Sequence, residues 1–193
     1  AMFNSFRNAI VITVIALLIC SIAGYGFEIY HDKGKDLLMN ILLLAMMLPF
    51  VAIMIPLFKM FSSWKLVNTW IALALPSLST PFLIMMFRQA ARLEGLSEIR
   101  IFFTMFLPIM KSTYGAAMTV TFMNAWNNYL WPTIILQDSN QITMPMLVAN
   151  LKSGYSVDYG MLMLGVLICT LPTAIIFLCL QKSFANGIAG AVK

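Results

Sequence analysis

A group of polar side chains stands within an otherwise apolar stretch near the middle of the chain, at spacings that could serve chemistry. The group consists of Asn124, Asn127, Asn128 and Trp131. Positions i, i+3, i+4 and i+7 share one face of a helix. Amides surrounded by lipid need hydrogen-bond partners, and two kinds are open. One is a neighbouring helix, at about 0.6 to 2 kcal/mol per contact, and the other is a hydroxyl-bearing solute that passes along the face.

Side chains for catalysis or metal binding are not assembled in the sequence. His31 is the one histidine and lies in the polar segment HDKGKD, whereas Cys20, Cys169 and Cys179 fall inside apolar runs. These positions give no metal-ligand spacing and no nucleophile with a base, and no phosphate-binding loop of the form GxxxxGK[ST] occurs. We therefore predict no catalytic residue, no metal site and no cofactor bound by this chain, which argues against an intramembrane enzyme.

The elements that position these side chains are predicted to be membrane-spanning helices. The chain is 61% hydrophobic and 10% charged, with a mean hydropathy of +0.90, which is outside the range of soluble domains. Continuous apolar runs satisfy their own backbone as helices, whereas barrel strands would alternate. We predict an all-α integral membrane fold, with residues 1–193 forming a single domain of five spans. The spans are Phe6–Phe27, Leu37–Phe61, Thr69–Phe87, Ser112–Leu136 and Tyr159–Leu180.

Lysine and arginine divide unequally between the two sides of these spans. One side carries Lys33, Lys35, Arg88, Arg92, Arg100, Lys111, Lys182 and Lys193. The other side carries Arg7, Lys59, Lys65 and Lys152. Because cytoplasmic loops hold the excess of basic residues, the first side is predicted to be cytoplasmic, with residue 1 outside and the carboxyl terminus inside. The formal charge of +5 reflects this bias, and no basic groove indicates a nucleic-acid partner.

Residues 88–111 form a charged interruption on the predicted cytoplasmic side. Gly95 can take the positive φ that ends one helix, and Ser97 is a suitable N-cap for the next. Pro108 then breaks or bends the second helix before the following span. The pattern predicts a helix, a glycine turn and a helix. It is compatible with a plain connector as well as with a docking surface.

The spacing within this segment resembles the EAA loop of ATP-binding-cassette (ABC) importer permeases. The matching residues are Ala90, Ala91, Glu94, Gly95, Phe102, Leu107 and Pro108. The resemblance implies a cytoplasmic coupling helix that docks into a cleft on an ATPase. Other stretches resemble the carbohydrate-uptake branch of that family, and the tail resembles the G-type subunit of maltose permeases. They are NSFRNAIVITVIALLICSIAGYGF, TFMNAWNNYLWPTIILQDSNQITMPM and LPTAIIFLCLQKSFANGIAGAVK.

This resemblance implies a permease subunit of a binding-protein-dependent importer for a sugar or oligosaccharide, in the bacterial inner membrane. It implies an F-type second permease subunit, two ATP-binding cassette subunits that carry ATP-Mg, an extracytoplasmic solute-binding protein and surrounding lipid. The four polar residues then line half of a path that works by alternating access, and Trp126, Tyr129 or Trp131 stacks on a pyranose ring. The outer loop would face the binding protein through Asn150, Lys152, Gly154 and Tyr155.

Two alternatives to a sugar importer remain open. An importer for a polyamine or glycerol phosphate is less favoured, because away from their ends the predicted spans hold no charged residue to pair with an ionic solute. A structural membrane subunit without transport activity is a further alternative.

The chain also departs from the family, whose members have six spans and a glutamate-bearing stretch before the two alanines. We therefore expect the full-length protein to carry one more amino-terminal span and an extra segment between Arg88 and Ala90.

Overall fold

The computed structural model describes residues 1–29, 32–94, 110–152 and 157–191, with the backbone alone at 92–94 and 186–191. All regular elements in these ranges are helical, which confirms the predicted all-α fold. The helices are α1 (Met2–Ile29), α2 (Lys33–Ala45), α3 (Phe50–Ser63), α4 (Trp70–Leu78), α5 (Pro81–Glu94), α6 (Lys111–Trp126), α7 (Leu130–Ile135), α8 (Met144–Lys152) and α9 (Tyr159–Ala191), with a short 3-10 helix at Ser139–Gln141.

Only some of the predicted spans are straight helices. Among the described residues, α1 and α9 are each long and apolar enough to cross a membrane, and they match the first and last predicted spans. The second predicted span is the pair α2 and α3, bent by 106°, and the third is the pair α4 and α5, bent by 43°. The fourth is divided between α6 and α7. Counting each bent pair as one crossing gives up to four spans by length and composition, where five were predicted.

Prolines explain where two of the bends fall. Pro49 precedes α3 in an extended conformation, and Pro81 is the first residue of α5. Proline fits the first turn of a helix because its missing N–H has no partner there anyway, and it disfavours helical geometry in the residue before it. Ser79, two residues before Pro81, is likewise extended. These prolines therefore start new helices, whereas Pro56, Pro76 and Pro172 lie within helices.

Helix α1 is the centre of the bundle and packs against α4, α5 and α6, while α6 also packs along α9. Glycine permits the tightest of these contacts. A Cβ at Gly24 would lie 2.7 Å from the carbonyl oxygen of Ile84 and 2.8 Å from the amide nitrogen of Arg88, so α1 touches the backbone of α5. Gly115 similarly lets α6 approach Ser183 of α9. Many large apolar side chains of α1, α2, α3 and α9 are exposed, as on membrane-facing helices.

The two ends of the bundle differ in their side-chain contacts. At one end, Arg88 lies beside Glu28 and Asp36, and Phe87 packs on Tyr114 with ring centroids 4.8 Å apart. At the other end, the start of α1 and the loop before α4 contact the segment around residues 137–144. The first end holds Lys33, Arg88, Lys111 and Lys182, four of the eight basic residues that predict the cytoplasmic side.

Candidate functional site

A cavity of about 570 Å³ lies among α1, α4, α5, α6 and the starts of α3 and α7, within the size range of small-ligand sites. Its polar lining consists of Ser77, Thr80, Thr121, Asn124 and Asn128. Its apolar lining consists of Ile12, Phe50, Pro76, Phe82, Leu83, Val120, Ala125 and Trp131. None of these lining residues, all within the described ranges, carries a charge. The cavity can therefore bind a neutral molecule through hydroxyl and amide hydrogen bonds and through apolar faces.

Three of the four residues in the predicted polar face border this cavity, but they do not lie on one continuous helix. Asn124 lies in the last turns of α6, but α6 ends at Trp126 and Asn127 is its C-cap. Asn128 belongs to the break before α7, and Trp131 lies within α7. The prediction of one continuous helical face is therefore wrong. The break brings Asn124, Asn128 and Trp131 to the cavity and leaves Asn127 exposed outside its lining.

Two adjacent asparagines supply a physical reason for this break. Asparagine amides bond nearby backbone groups in non-helical conformations, so they compete with the helical hydrogen-bond pattern. The amide nitrogen of Asn127 still donates to the carbonyl of Met123 at 3.0 Å, and the chain then leaves the helix until Leu130. Asn128 also borders a second, much smaller void beside Asn8 and Thr143. It thus borders both spaces.

Two buried tryptophans, Trp131 and Trp126, connect the helices around the site. Trp131 is fully buried, its indole N–H donates to the carbonyl of Ala72 at 2.9 Å, and Phe50 and Phe61 pack against its ring. Trp126 is buried too, and its N–H donates to the carbonyl of Cys169 at 2.9 Å. Stacking of either ring on a pyranose is therefore not supported, because both are enclosed by protein. Their hydrogen bonds fasten α7 to α4 and α6 to α9.

Tyr129, the third aromatic residue considered for stacking, is half-exposed and outside the cavity lining. The aromatic rings that do border the cavity with exposed surface are Phe50 and Phe82. Neither was predicted. Phe50 starts α3 after one bend, and Phe82 follows the bend between α4 and α5.

Sequence reasoning also missed Ser77 and Thr80. The stretch LPSLSTPF carried a signal, since it places three hydroxyls between two prolines inside an apolar run. A broken helix in a membrane releases backbone groups that must find other partners, and such breaks in transport proteins often line a cavity. Here Pro76, Ser77, Thr80 and Phe82 all border the same space, so the break between α4 and α5 forms one wall of it.

The alanines of the predicted coupling loop lie in the interior. Ala90 is 9% exposed and Ala91 is 3% exposed, in a core cluster that includes Phe87 and Met110. Their small side chains let α5 pack closely against its neighbours, so they do not offer a surface to another protein in this structure. Glu94 is the last residue of α5. The other matching positions, Gly95, Phe102, Leu107 and Pro108, lie outside the described residues.

The predicted outer loop has a fixed base and an exposed end. Asn4 donates to the carbonyl oxygens of Asn140 and Ile142 at 2.7 and 3.1 Å, and the hydroxyl of Ser5 accepts from the Met144 amide at 2.7 Å. These bonds fix the segment leading into α8. At the far end of α8, the predicted contact residues Asn150 and Lys152 are exposed. Gly154 and Tyr155, which complete that prediction, lie outside the described residues.

Comparison with known proteins identifies the class of molecule that has this architecture. Residues 21–190 match the family described as binding-protein-dependent transport system inner membrane component. The chain belongs to this family. This membership confirms the predicted resemblance to importer permeases and places the chain in a membrane.

Two relatives illustrate the similarity. The chain is 43% identical to the lactose transport system permease protein LacG of Rhizobium radiobacter, over 99% of this chain and 74% of that protein. It is 36% identical to the arabinooligosaccharides transport system permease protein AraQ of Bacillus subtilis strain 168, over 99% of this chain and 72% of that protein. The first alignment runs over 202 residues although this chain has 193, so that relative holds internal residues without a counterpart here.

The fold also matches a solved structure. A bacterial ABC transporter involved in the import of the acidic polysaccharide alginate superposes with a TM-score of 0.77, over 95% of this chain and 75% of that chain. At 16% sequence identity this match supports the fold alone. It agrees with the family membership.

Proposed function

We propose that this chain is the permease subunit of an importer for a neutral sugar or oligosaccharide, and that the cavity of about 570 Å³ is its half of the translocation path. The observation that carries the proposal is the cavity lining, in which hydroxyls and amides stand beside Phe50 and Phe82 without a charged side chain. Sugars present hydroxyls at the ring edge and apolar C–H surfaces on the faces, and this lining complements both. The names of the relatives, for lactose and arabinooligosaccharides, support the same class of solute.

In the proposed mechanism, Asn124 and Asn128 exchange hydrogen bonds with sugar hydroxyls while Phe50 and Phe82 contact an apolar ring face. A second, F-type permease subunit closes the other half of the path. Two ATP-binding cassette subunits bind ATP-Mg and dock at the segment that follows α5. A solute-binding protein delivers the sugar to the outer loop near Asn150 and Lys152. Closure of the ATPases moves the coupling segments, and differential contacts in the two states bias the helices between inward and outward access.

Uptake into membrane vesicles that hold the assembled transporter and its binding protein tests the choice of solute. A labelled neutral disaccharide or trisaccharide should accumulate with ATP, and unlabelled neutral oligosaccharides should compete. Glycerol phosphate and spermidine represent the ionic alternatives and should not compete, because the described lining offers no charge to pair with them. Accumulation of either ionic solute, without accumulation of any neutral sugar, would overturn the proposal.

A further inference from the structure

Arg88 joins three helices at the predicted cytoplasmic end of the bundle. Its Nε lies 3.3 Å from Oε2 of Glu28, near the end of α1, and its Nη2 lies 3.1 Å from Oδ1 of Asp36, in the first turn of α2. The Arg88 side chain is 23% exposed and that of Glu28 is 15% exposed, whereas that of Asp36 is 60% exposed. One guanidinium thus bonds two carboxylates on separate helices, which suits its rigid fork of donors.

This arrangement differs from an ordinary surface ion pair. Isolated exposed pairs contribute little, but pairs that are partly buried and share one arginine lose less side-chain entropy for each bond. The link also adds a polar contact to the apolar contacts of α2. Among the residues that the structure describes in α2, only Met39 is buried, and Leu42 and Leu43 pack partly buried against the core. The bond between Arg88 and Asp36 is therefore a polar connection between α2 and the rest of the bundle.

Arg88 is the first residue of the predicted coupling segment and stands between the cavity and the matching positions that begin at Ala90. Phe82 and Leu83, one to two turns earlier in α5, line the cavity, and α5 ends at Glu94 where the predicted ATPase-docking stretch continues. The two helices that Arg88 holds also lead to the cavity, because Ile12 of α1 lines it and α2 continues through the bend to Phe50. A displacement at the end of α5 would reach all three walls only if these helices move together.

We propose that Arg88 is a positioning residue for transport: it makes the cytoplasmic ends of α1, α2 and α5 move as one body, so that motion of the coupling segment is transmitted to the cavity walls. This inference rests on the proposed function, since it assumes ATPase docking after α5. It assigns Arg88, Glu28 and Asp36 a role in coupling, separate from binding the solute or the ATPase.

The test compares Arg88→Met with the wild-type chain in the complete transporter and measures ATP hydrolysed per solute imported. Assembly and ATP hydrolysis should persist, while the ratio of hydrolysis to uptake rises by roughly fivefold or more, in the range of measured coupling effects. Arg88→Lys should recover part of the coupling, because an ammonium can still pair with one carboxylate. Lys182→Met is the matched control, since it removes an exposed positive charge at the same end of the bundle, outside the predicted coupling segment, and should leave the ratio unchanged.

Asp36→Asn keeps the inference testable if Arg88→Met does not assemble. Asp36 is mostly exposed, so its neutralisation should leave folding intact and still raise the ratio. An unchanged ratio in Asp36→Asn and Arg88→Met, or an equal rise in Lys182→Met, would overturn the inference. A wild-type complex that imports no neutral sugar would overturn the proposed function instead, and coupling would then be measured with whichever solute is carried.

Discussion

At the scale of single residues, Asn124 and Asn128 border the cavity while Asn127, adjacent in sequence, does not. This difference supplies a matched set of three variants. Asn124→Leu and Asn128→Leu should each lower the apparent affinity for transported sugar by roughly fivefold, since a hydrogen bond contributes about 1 kcal/mol. Asn127→Leu should have little effect, because its side chain is exposed outside the cavity lining. The measurement is the concentration dependence of sugar uptake in vesicles.

Assembly of the permease pair, measured in the same samples, separates the two interpretations of these amides. If Asn124→Leu or Asn128→Leu removes the chain from the assembled complex, the amides act mainly through interhelical hydrogen bonds that stabilise the assembly. Equal loss of uptake in all three variants would instead argue against the cavity as the solute path.

The residue scale also shows where sequence patterns stop being informative about the site. The pattern of polar residues pointed to Asn124 and Asn128, which border the cavity, because amides in an apolar run need partners wherever the backbone goes. The pattern could not show whether Trp131 stacks on a sugar ring or is packed into the wall of the cavity. That distinction depends on Ala72, Phe50 and Phe61, which approach the ring from other parts of the chain.

At the scale of helices, Gly24 and Gly26 offer a test of the contact between α1 and α5. A Cβ at Gly24 would meet the backbone of Ile84 and Arg88 below 3.0 Å, whereas a Cβ at Gly26 would meet nothing within 4 Å. Gly24→Ala should therefore force the helices apart and destabilise the protein by about 1–3 kcal/mol, the usual cost of overpacking. Gly26→Ala should be neutral or stabilising by up to about 1 kcal/mol, because alanine favours helices. Thermal unfolding in detergent measures both.

Equal thermal stability of Gly24→Ala and Gly26→Ala would show that α1 and α5 do not touch at this point. The two substitutions are chemically identical and lie two residues apart in one helix. Any difference between them therefore reports packing, since helix propensity changes equally in both.

Sequence patterns located the apolar segments well and their bends poorly, and the reason is physical. An apolar run satisfies the membrane whether its helix is straight or broken, so hydropathy finds Leu37–Phe61 without revealing the 106° bend inside it. Pro49 and Pro81 lie at the bends, but a proline is compatible both with a mild kink inside a helix and with the start of a new helix. Packing against neighbouring helices decides between these outcomes, and a single sequence does not contain that packing.

The predicted coupling segment belongs to the scale of the whole transporter, because its effect is read in other chains. Gly95 is predicted to take a positive φ, where a β-branched residue costs roughly 1–2 kcal/mol or more. Gly95→Val should change the angle between the two predicted short helices, weaken ATPase association and abolish uptake, while the chain still inserts into the membrane. Glu94→Lys should weaken the same contact less, since rim charges usually matter less than backbone shape. ATPase retained on the purified permease pair is the measurement, and normal retention in Gly95→Val would identify a plain connector.

Orientation in the membrane is the remaining prediction for the whole molecule, and the two ends of the bundle make it testable. One end holds Lys33, Arg88 and Lys111, and the excess of basic residues predicts that this end faces the cytoplasm. The opposite end holds the exposed residue Ser139. We expect Ser139→Cys to react with an impermeant maleimide in right-side-out vesicles. Lys33→Cys should react only after the membrane is permeabilised.

Both cysteines are introduced into a chain whose native cysteines have been replaced, so that the label reports only the introduced thiol. Cys20 is buried and contacts the carbonyl of Leu78, so alanine is its mildest replacement. Labelling of Lys33→Cys, but not of Ser139→Cys, in sealed vesicles would reverse the predicted orientation. In that case α5 and the segment after it would face outward, where no ATP is available. The proposed coupling through Arg88 would fail together with the orientation, whereas the neutral lining of the cavity would be unaffected.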